Sequence, residues 1–263
     1  MNTPVPHSEP VVDPASAAPV ENAPTLTEPF SAGRAAARLL FDFGVMAALF
    51  KPEAAQWPVL DFGAGTGWVS EFCARMGMQT VAFDIHGDLK ACLGGRIGAD
   101  RRIDASLLGF AHGDGHAMPF ATGTFGHLLC YDTLHHMHDY PKVFGEFFRV
   151  LHPGGRAIFV EPGARHSKSP ETIAFVKEQK KHDPTWIERD VVLEEIDAIA
   201  RGAGFRGGLA VHPMPHPAAL APYTLAEWTQ FRDGKTTPRL RLTNLLAQIN
   251  YWERVIFVVD KPA

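Results

Sequence analysis

The stretch VLDFGAGTGW, residues 59–68, places three glycines at alternate positions directly after a short apolar run that carries an acid, Asp61. Glycine weakens a strand interior, because it loses the most backbone freedom on folding and offers no side chain to pack. Its use here indicates a tight turn at the end of a buried strand, with backbone amides left open to a ligand. A glycine-rich turn without a ligand is the alternative at this point.

Short apolar strands alternate with helical patterns on both sides of this turn. The strands are predicted at 58–62, 79–84, 109–114, 125–132, 156–162, 205–212 and 253–259. Helices are predicted at 31–50, 69–76, 89–93, 140–151, 170–181 and 189–203, with Ser169 as an N-cap and a partly helical stretch at 213–250. This alternation predicts an α/β fold in which helices cover both faces of a mostly parallel sheet.

Composition excludes several classes of protein. The net charge of −4 over 263 residues argues against a nucleic-acid partner, and no apolar run is long enough to span a membrane. The three cysteines, Cys73, Cys92 and Cys130, form no CxxC pair, so we expect reduced thiols, a cytoplasmic location and no structural zinc. The oligomeric state is left open.

A second acid strengthens the interpretation of the glycine turn as a ligand site. Asp84 closes the next predicted strand, where a carboxylate accepts hydrogen bonds from both hydroxyls of a ribose. An adenosine-containing ligand is therefore expected. The dinucleotide fingerprint GxGxxG fits poorly, because Trp68 stands where its third glycine should be.

Several motifs in the right order resemble one family. VLDFGAGTG and the stretch HGDGHAMPFATGTFGHLLCYDTLHHMHDYPKVFGEFFRVLHPGGRAIFVEP (112–162) are similar to motifs of class I S-adenosylmethionine-dependent methyltransferases of the small-molecule type. The resemblance covers roughly 57–162. It implies a Rossmann-like, seven-stranded sheet whose last strand lies antiparallel beside 156–162, with 59–62 and 125–131 adjacent at the centre.

The resemblance also implies a division of the chain. We expect a flexible, proline-rich tail at 1–30 and a methyltransferase domain at 31–263. Within the domain, 31–56 is the N-terminal helix, 57–162 the cofactor-binding core, and 163–263 holds acceptor and lid elements with the last two strands.

The same resemblance assigns residues to the cofactor, S-adenosyl-L-methionine. Its methionine part is expected near Asp61, Gly63, Ala64, Gly65 and Gly67, its ribose near Asp84 and Ile85, its adenine near Asp114, Gly115 and His116, and its methyl group near Asp132, Thr133 and Leu134. One departure is visible, because the family usually has an acid at position 126 or 127. This chain has Gly126 and His127 there. The resemblance implies that the usual acid is structural, so this departure leaves the cofactor assignments unchanged.

Two candidate catalytic residues lie near the expected methyl group. His135 either accepts a proton from the acceptor or packs beneath the cofactor, and Glu161 either orients the acceptor or caps a loop. The cluster of His135, His136 and His138 predicts no metal, because the three lie on a single loop without a cysteine.

These observations predict methyl transfer from S-adenosylmethionine to a small-molecule acceptor, at oxygen. Basic groups at 164–170 and 177–183 suggest an anionic acceptor, although a solvated helix face gives the same pattern. Aminocarboxypropyl transfer or cyclisation on the same fold, and a non-catalytic subunit that binds S-adenosylmethionine, remain alternatives.

Overall fold

The computed structural model describes residues 9–10, 27–31, 33–100, 102–212, 224–235 and 254–263. Its strands are β1 Glu9–Pro10, β2 Val59–Phe62, β3 Thr80–Asp84, β4 Leu108–His112, β5 Phe125–Tyr131, β6 Leu151–Pro162, β7 Ala210–His212 and β8 Arg254–Asp260. Its helices are α1 Gly33–Ala48, α2 Trp68–Arg75, α3 Leu89–Ala99, α4 Tyr140–Val150, α5 Pro170–Gln179, α6 Leu193–Ala203 and α7 Leu225–Arg232.

The strands form one sheet in the order β1-β4-β3-β2-β5-β6-β8-β7. Strands β4, β3, β2, β5 and β6 run parallel, β8 lies antiparallel beside β6, and β7 is antiparallel to β8 and so follows the parallel direction. The predicted seven-stranded arrangement is confirmed, with β2 and β5 as neighbours. The two-residue β1, antiparallel to β4, adds an edge strand that the sequence did not predict.

Helices cover both faces because side chains alternate along each strand. On β2, Leu60 and Phe62 pack into a core that includes residues of α4 and α6. Val59 points the other way, into a core with residues of α1 and α2. All four residues of β2 are buried, which is typical of a central parallel strand.

Several boundaries differ from the prediction for physical reasons. Helix α3 continues to Ala99 despite its glycines, because Leu93 and Ile97 are buried one turn apart. Strand β6 begins at Leu151, and its register against β5 shifts before Arg156, so the PGG segment forms an irregularity within the strand. Most of 213–250 lies outside the described residues, and its described part contains α7.

The end of the predicted tail contacts the domain. Thr66 Oγ1 donates a hydrogen bond to Glu28 Oε2 at 2.7 Å, and Arg96 Nη1 donates to the Glu28 carbonyl at 2.8 Å. The tail residues at 1–8 and 11–26 lie outside the described part of the chain. Ser169 Oγ accepts from the Thr172 amide at 3.0 Å, which confirms the predicted N-cap of α5. No helix in the described ranges is long and apolar enough to cross a membrane.

Candidate functional site

The glycine turn follows β2, and a different structural constraint accounts for the glycine at each of its three positions. Gly63, Gly65 and Gly67 have φ angles of +70°, +53° and +74°, which disfavour any residue with a Cβ. A Cβ on Gly63 would collide with the Thr133 side chain, and one on Gly67 with Leu93. A Cβ on Gly65 would meet nothing within 4 Å, so this residue faces open space at the mouth of a cavity.

Asp84 lies across the turn, at the end of β3. Its Oδ2 accepts a hydrogen bond from the Gly65 amide at 2.7 Å, and its Oδ1 accepts from the His86 amide at 2.9 Å. These bonds fix the carboxylate at the cavity wall while each oxygen keeps a further lone pair. The carboxylate can therefore still accept hydrogen bonds from a vicinal diol.

This first cavity, at the carboxyl ends of β2, β3 and β4, has a volume of about 480 Å³. Nine predicted cofactor residues line it: Gly63, Gly65, Asp84, Ile85, Asp114, Gly115, His116, Asp132 and Thr133. Its far wall is formed by a segment that the sequence did not single out, from Asp183 to Ile187. Asp61, Ala64, Gly67 and Leu134 are not part of the lining, so these four predicted residues lie behind the wall.

Asp61 is enclosed beneath the turn. It is 1% exposed, and its Oδ2 accepts a hydrogen bond from Ser70 Oγ at 2.5 Å. Burial raises the pKa of Asp61 to about 7, although the Ser70 bond acts in the opposite direction. Its chemistry is therefore that of a buried acid which supports the turn.

A buried arginine ties the turn to its surroundings. Arg96 in α3 donates from Nε to the Thr66 carbonyl at 2.6 Å and from Nη1 to Glu71 Oε2 at 2.9 Å. The side chain of Arg96 is only 3% exposed, and a buried charge needs such partners. Sequence reasoning missed Arg96 because no motif marks it.

The loop after β4 is compact. The amide and ring Nδ1 of His116 lie 2.9 Å and 2.7 Å from Asp114 Oδ1, and these hydrogen bonds lower the pKa of Asp114. A Cβ on Gly115 would lie 2.5 Å from the Phe62 ring, so only glycine fits there. The loop can thus place the Asp114 carboxylate, which accepts hydrogen bonds, beside the apolar ring of Phe62.

A second cavity, of about 450 Å³, adjoins the first and shares Asp132 and His136 with it. Its other lining residues are mainly polar or charged: Arg38, His135, Pro162, His166, Glu171, Thr172, Phe175, Glu188 and Arg254. These residues come from α1, the loops after β5 and β6, α5, the segment before α6, and β8. The second cavity thus draws on the N-terminal helix and on the part of 163–263 where acceptor and lid elements are expected.

Asp132 stands at the junction of the two cavities. Arg254 donates to its two carboxylate oxygens at 2.9 Å and 3.2 Å, and Arg38 Nη1 lies 3.7 Å away. Burial alone would raise the pKa of Asp132, but the charge of Arg254 outweighs it and the pKa is lowered. Asp132 also has a φ of +48°, an uncommon conformation for a residue with a Cβ that occurs at functional sites.

His135 is held between two carboxylates. Its Nδ1 lies 2.8 Å from Glu161 Oε2 and its Nε2 lies 3.2 Å from Glu188 Oε2. Burial lowers the pKa of His135, but the hydrogen bonds to both carboxylates outweigh burial and raise the pKa to about 10. Both ring nitrogens are thus engaged with carboxylates, and neither is directed at an acceptor. These contacts favour the packing role of His135 over that of a general base.

Of the two roles considered for Glu161, its contacts favour the loop cap. It is fully buried and lines neither cavity, so it does not contact an acceptor. Its Oε1 accepts hydrogen bonds from the amides of Thr133 at 3.0 Å and Leu134 at 2.8 Å. Glu161 therefore positions the loop after β5, together with His135.

Glu188 and His166 complete the cluster and were missed from the sequence. His166 Nε2 lies 2.8 Å from Glu188 Oε2, and His136 Nδ1 lies 3.5 Å from Glu188 Oε1. Burial would raise the pKa of Glu188, yet the hydrogen bonds from His135 and His166 outweigh it and lower the pKa. Sequence spacing could not predict that Glu188 and His166 meet His135, because the three residues belong to separate segments of the chain.

Comparison with known proteins agrees with this architecture. Residues 60–159 match a family model described as a methyltransferase domain. Demethylmenaquinone methyltransferase from Thermobifida fusca is 36% identical over 105 residues, which are 39% of this chain and 42% of that protein. The chain thus spans less than half the length of this curated relative.

Solved structures share the fold at low identity. Haemonchus contortus phosphoethanolamine N-methyltransferase 2, in complex with S-adenosyl-L-methionine, has a TM-score of 0.59 at 20% identity over 85% of this chain and 53% of that one. The cyclase SpnF has a TM-score of 0.54 at 18% identity, over 88% and 82% of the two chains. Such likenesses support the fold alone.

Proposed function

We propose that this chain, whose residues 60–159 form a methyltransferase domain of the class I S-adenosylmethionine-dependent type, transfers a methyl group from S-adenosylmethionine to a small polar acceptor, at oxygen. The observation that carries the proposal is the pair of adjoining cavities, which share Asp132 and His136 at the carboxyl edge of the sheet. One cavity suits the cofactor and the other suits the acceptor. Ligands of open parallel sheets bind at this edge.

In this proposal, the first cavity takes the cofactor. Asp84 accepts hydrogen bonds from the ribose hydroxyls, and Asp114 accepts from the adenine amino group. The turn at Gly65 leaves space for the methionine part, and its φ of +53° excludes a side chain that would fill this space. Thr133 and Asp132 then lie where the cofactor cavity meets the second one.

Methyl transfer depends more on the alignment of the two substrates than on catalytic side chains. The sulfonium methyl is already electrophilic, so the protein must hold acceptor, methyl and sulfur in line and exclude water. The segment from Asp183 to Ile187 walls the first cavity, while His135, Glu188 and Arg254 wall the second. These residues serve to bind and orient the two substrates.

The second cavity supports a polar acceptor that carries a negative charge. Arg38 is 52% exposed, and its ion pair with Asp132 is loose at 3.7 Å, so its guanidinium can take an anionic group. The cluster of His135, His166 and Glu188 offers charged hydrogen-bonding partners on the same wall. Such a lining suits a hydroxylated anion better than the demethylmenaquinone for which the Thermobifida fusca relative is named.

Calorimetry with S-adenosylmethionine and S-adenosylhomocysteine tests the cofactor assignment. We expect dissociation constants in the low micromolar range, about −8 kcal/mol, with weakened binding in Asp84→Ala and none in Gly65→Val. Asp88→Ala removes an exposed carboxylate four residues further on, and Gly77→Val imposes the same backbone strain at the end of α2. Equal affinity in the Asp84 and Asp88 variants would refute the ribose assignment.

Product analysis tests the reaction. Mass spectrometry of a metabolite pool incubated with the protein should show S-adenosylhomocysteine and an acceptor heavier by one methylene unit. Methylthioadenosine would indicate transfer or cyclisation of the aminocarboxypropyl group instead. Cofactor binding without any product would favour a non-catalytic subunit.

A further inference from the structure

We propose that His135, His136 and Glu188, with His166 as a fourth ligand or a close neighbour, form a binding site for a divalent transition-metal ion in the wall of the second cavity. One potential ligand atom from each of His135, His136 and Glu188 lies within 4.8 Å of the others. His166 Nε2 lies 2.8 Å from the same Oε2 of Glu188 that His135 Nε2 approaches at 3.2 Å. Two separate segments thus direct imidazole nitrogens at the carboxylate of a third.

The distances fit ligands of one ion. Nitrogen and oxygen ligands bind Zn²⁺ at about 2.0–2.2 Å, so neighbouring ligands around one ion lie about 3–3.5 Å apart. The two imidazole contacts with Glu188 Oε2 measure 2.8 and 3.2 Å, and His136 Nδ1 lies 3.5 Å from Oε1. His136 Nδ1 also lies 3.0 Å from the Ile187 carbonyl oxygen, a contact that it would exchange for the ion. A small shift outward would admit an ion between these groups.

The groups that hydrogen-bond to the proposed ligands are also those expected around a metal site. A metal-ligating histidine usually donates its second ring N–H to a carboxylate or carbonyl, which fixes its orientation. His135 Nδ1 lies 2.8 Å from Glu161 Oε2, which leaves Nε2 to face Glu188. Glu188 Oε1 accepts a hydrogen bond from Trp186 Nε1 at 3.0 Å, so the carboxylate is oriented as well.

Charge and access favour a cation there. Glu161 and Glu188 are two carboxylates with side chains 0% and 4% exposed, and buried carboxylates need positive partners. A divalent ion would balance both charges in place of the protonated His135, which releases its Nε2 proton to solvent when the ion binds. His136 and His166 are 29% and 24% exposed on the side of the second cavity, so an open coordination position can face an acceptor. Imidazole with one carboxylate suits Zn²⁺, Fe²⁺, Co²⁺ or Ni²⁺ better than Mg²⁺ or Ca²⁺.

Cobalt binding to the untagged full-length chain, stripped with a chelator, tests this site without the cofactor. We expect one Co²⁺ per chain, visible absorption bands, and partial quenching of tryptophan fluorescence, since the rings of Trp186 and His136 are 4.9 Å apart. At saturating cobalt, Trp186→Phe should keep the absorption bands and lose the quenching, with a weaker cobalt affinity because the hydrogen bond that orients Glu188 is removed. Zn²⁺ should displace the cobalt and raise the melting temperature.

Variants separate this cluster from other histidines. Glu188→Gln and His135→Gln should weaken cobalt binding at least 100-fold. His152→Ala is the control, because the His152 ring stacks on Trp57 and does not belong to this cluster, and it should bind cobalt as the parent does. Failure of the parent to bind cobalt stoichiometrically overturns the proposal, whether or not the variants fold. Unchanged binding in folded Glu188→Gln overturns it too. Because no cofactor is present, either result leaves the methyltransferase proposal standing.

Discussion

Replacing Asp61 by asparagine is expected to change how stability depends on pH. Asp61 is fully enclosed beneath the glycine turn, and burial raises its pKa from an ordinary 3.8 to about 7. Between these two values the folded protein keeps a proton that the unfolded chain has released. Raising the pH therefore favours unfolding, and Asp61→Asn removes this contribution while keeping an oxygen that can accept from Ser70.

The size of the effect follows from the two pKa values. The linkage relation gives a loss of about 2.5 kcal/mol in the unfolding free energy of the parent between pH 5 and pH 8 through this one group. The unfolding free energy of Asp61→Asn minus that of the parent should therefore increase by the same amount as the pH is raised from 5 to 8. Other titrating groups act on both proteins alike, so they cancel in the difference.

Urea denaturation of both proteins at pH 5, 6, 7 and 8, without cofactor, measures that difference. Ser70→Ala provides a second comparison, because it removes the hydrogen bond that lowers the pKa of Asp61 and should move the steep region to higher pH. If the parent and Asp61→Asn have parallel stability curves across this range, the buried acid is ionised throughout and the reasoning fails.

Three further outcomes are expected. Gly63→Ala should destabilise the fold by about 1–3 kcal/mol beyond Gly77→Ala in urea titrations, because both have φ near +75° but only the first methyl would collide with Thr133. Burial lowers the pKa of His127 to about 4, so the unfolded chain binds this proton first, and this one group should lower the unfolding free energy by about 2 kcal/mol from pH 7 to pH 4.5. The change is measured as the difference between the parent and His127→Gln, in which the opposite contribution of Asp61 cancels. Arg38→Gln should reduce turnover of the acceptor found in the metabolite screen without changing S-adenosylmethionine affinity in calorimetry; equal turnover would show that the acceptor does not use Arg38.

Local patterns predicted the sheet, and they placed the glycine turn and Asp84 together at one edge of it. The glycine turn and Asp84 could be assigned because each lies at the end of a short buried strand, and the ends of adjacent parallel strands meet at one edge. Strand order followed from the motifs between 57 and 162. The boundaries that differed, in α3 and β6, depend on packing and on an irregular register, which periodicity does not encode.

Side-chain ionisation could not be predicted in the same way. His135 follows β5 as expected, but its protonation depends on Glu188, which is 53 residues away in the chain. The argument against a metal rested on three histidines of one loop, whereas the structure brings His166 and Glu188, from two other segments, next to His135. Contacts between distant segments decide the charge of a buried histidine, and sequence spacing does not contain them.

His127 shows how a departure from a motif can preserve its physical role. The resemblance implies an acid near this position, and such an acid would accept hydrogen bonds from neighbouring backbone. His127 Nε2 accepts from the Lys51 amide at 2.9 Å, and a pKa lowered by burial keeps that nitrogen free to accept. A neutral imidazole can therefore occupy the place of the acid without leaving the amide unpaired.

One buried carboxylate connects the two cavities. Oε1 of Glu161 accepts from the amide of Thr133, whose side chain packs against Gly63 in the wall of the first cavity. Oε2 of Glu161 pairs with His135 in the wall of the second. Because Glu161 is fully buried and has no freedom to follow one partner alone, a displacement of the loop after β5 must move both walls together. The junction at Asp132 is thus held by a residue that touches neither cavity.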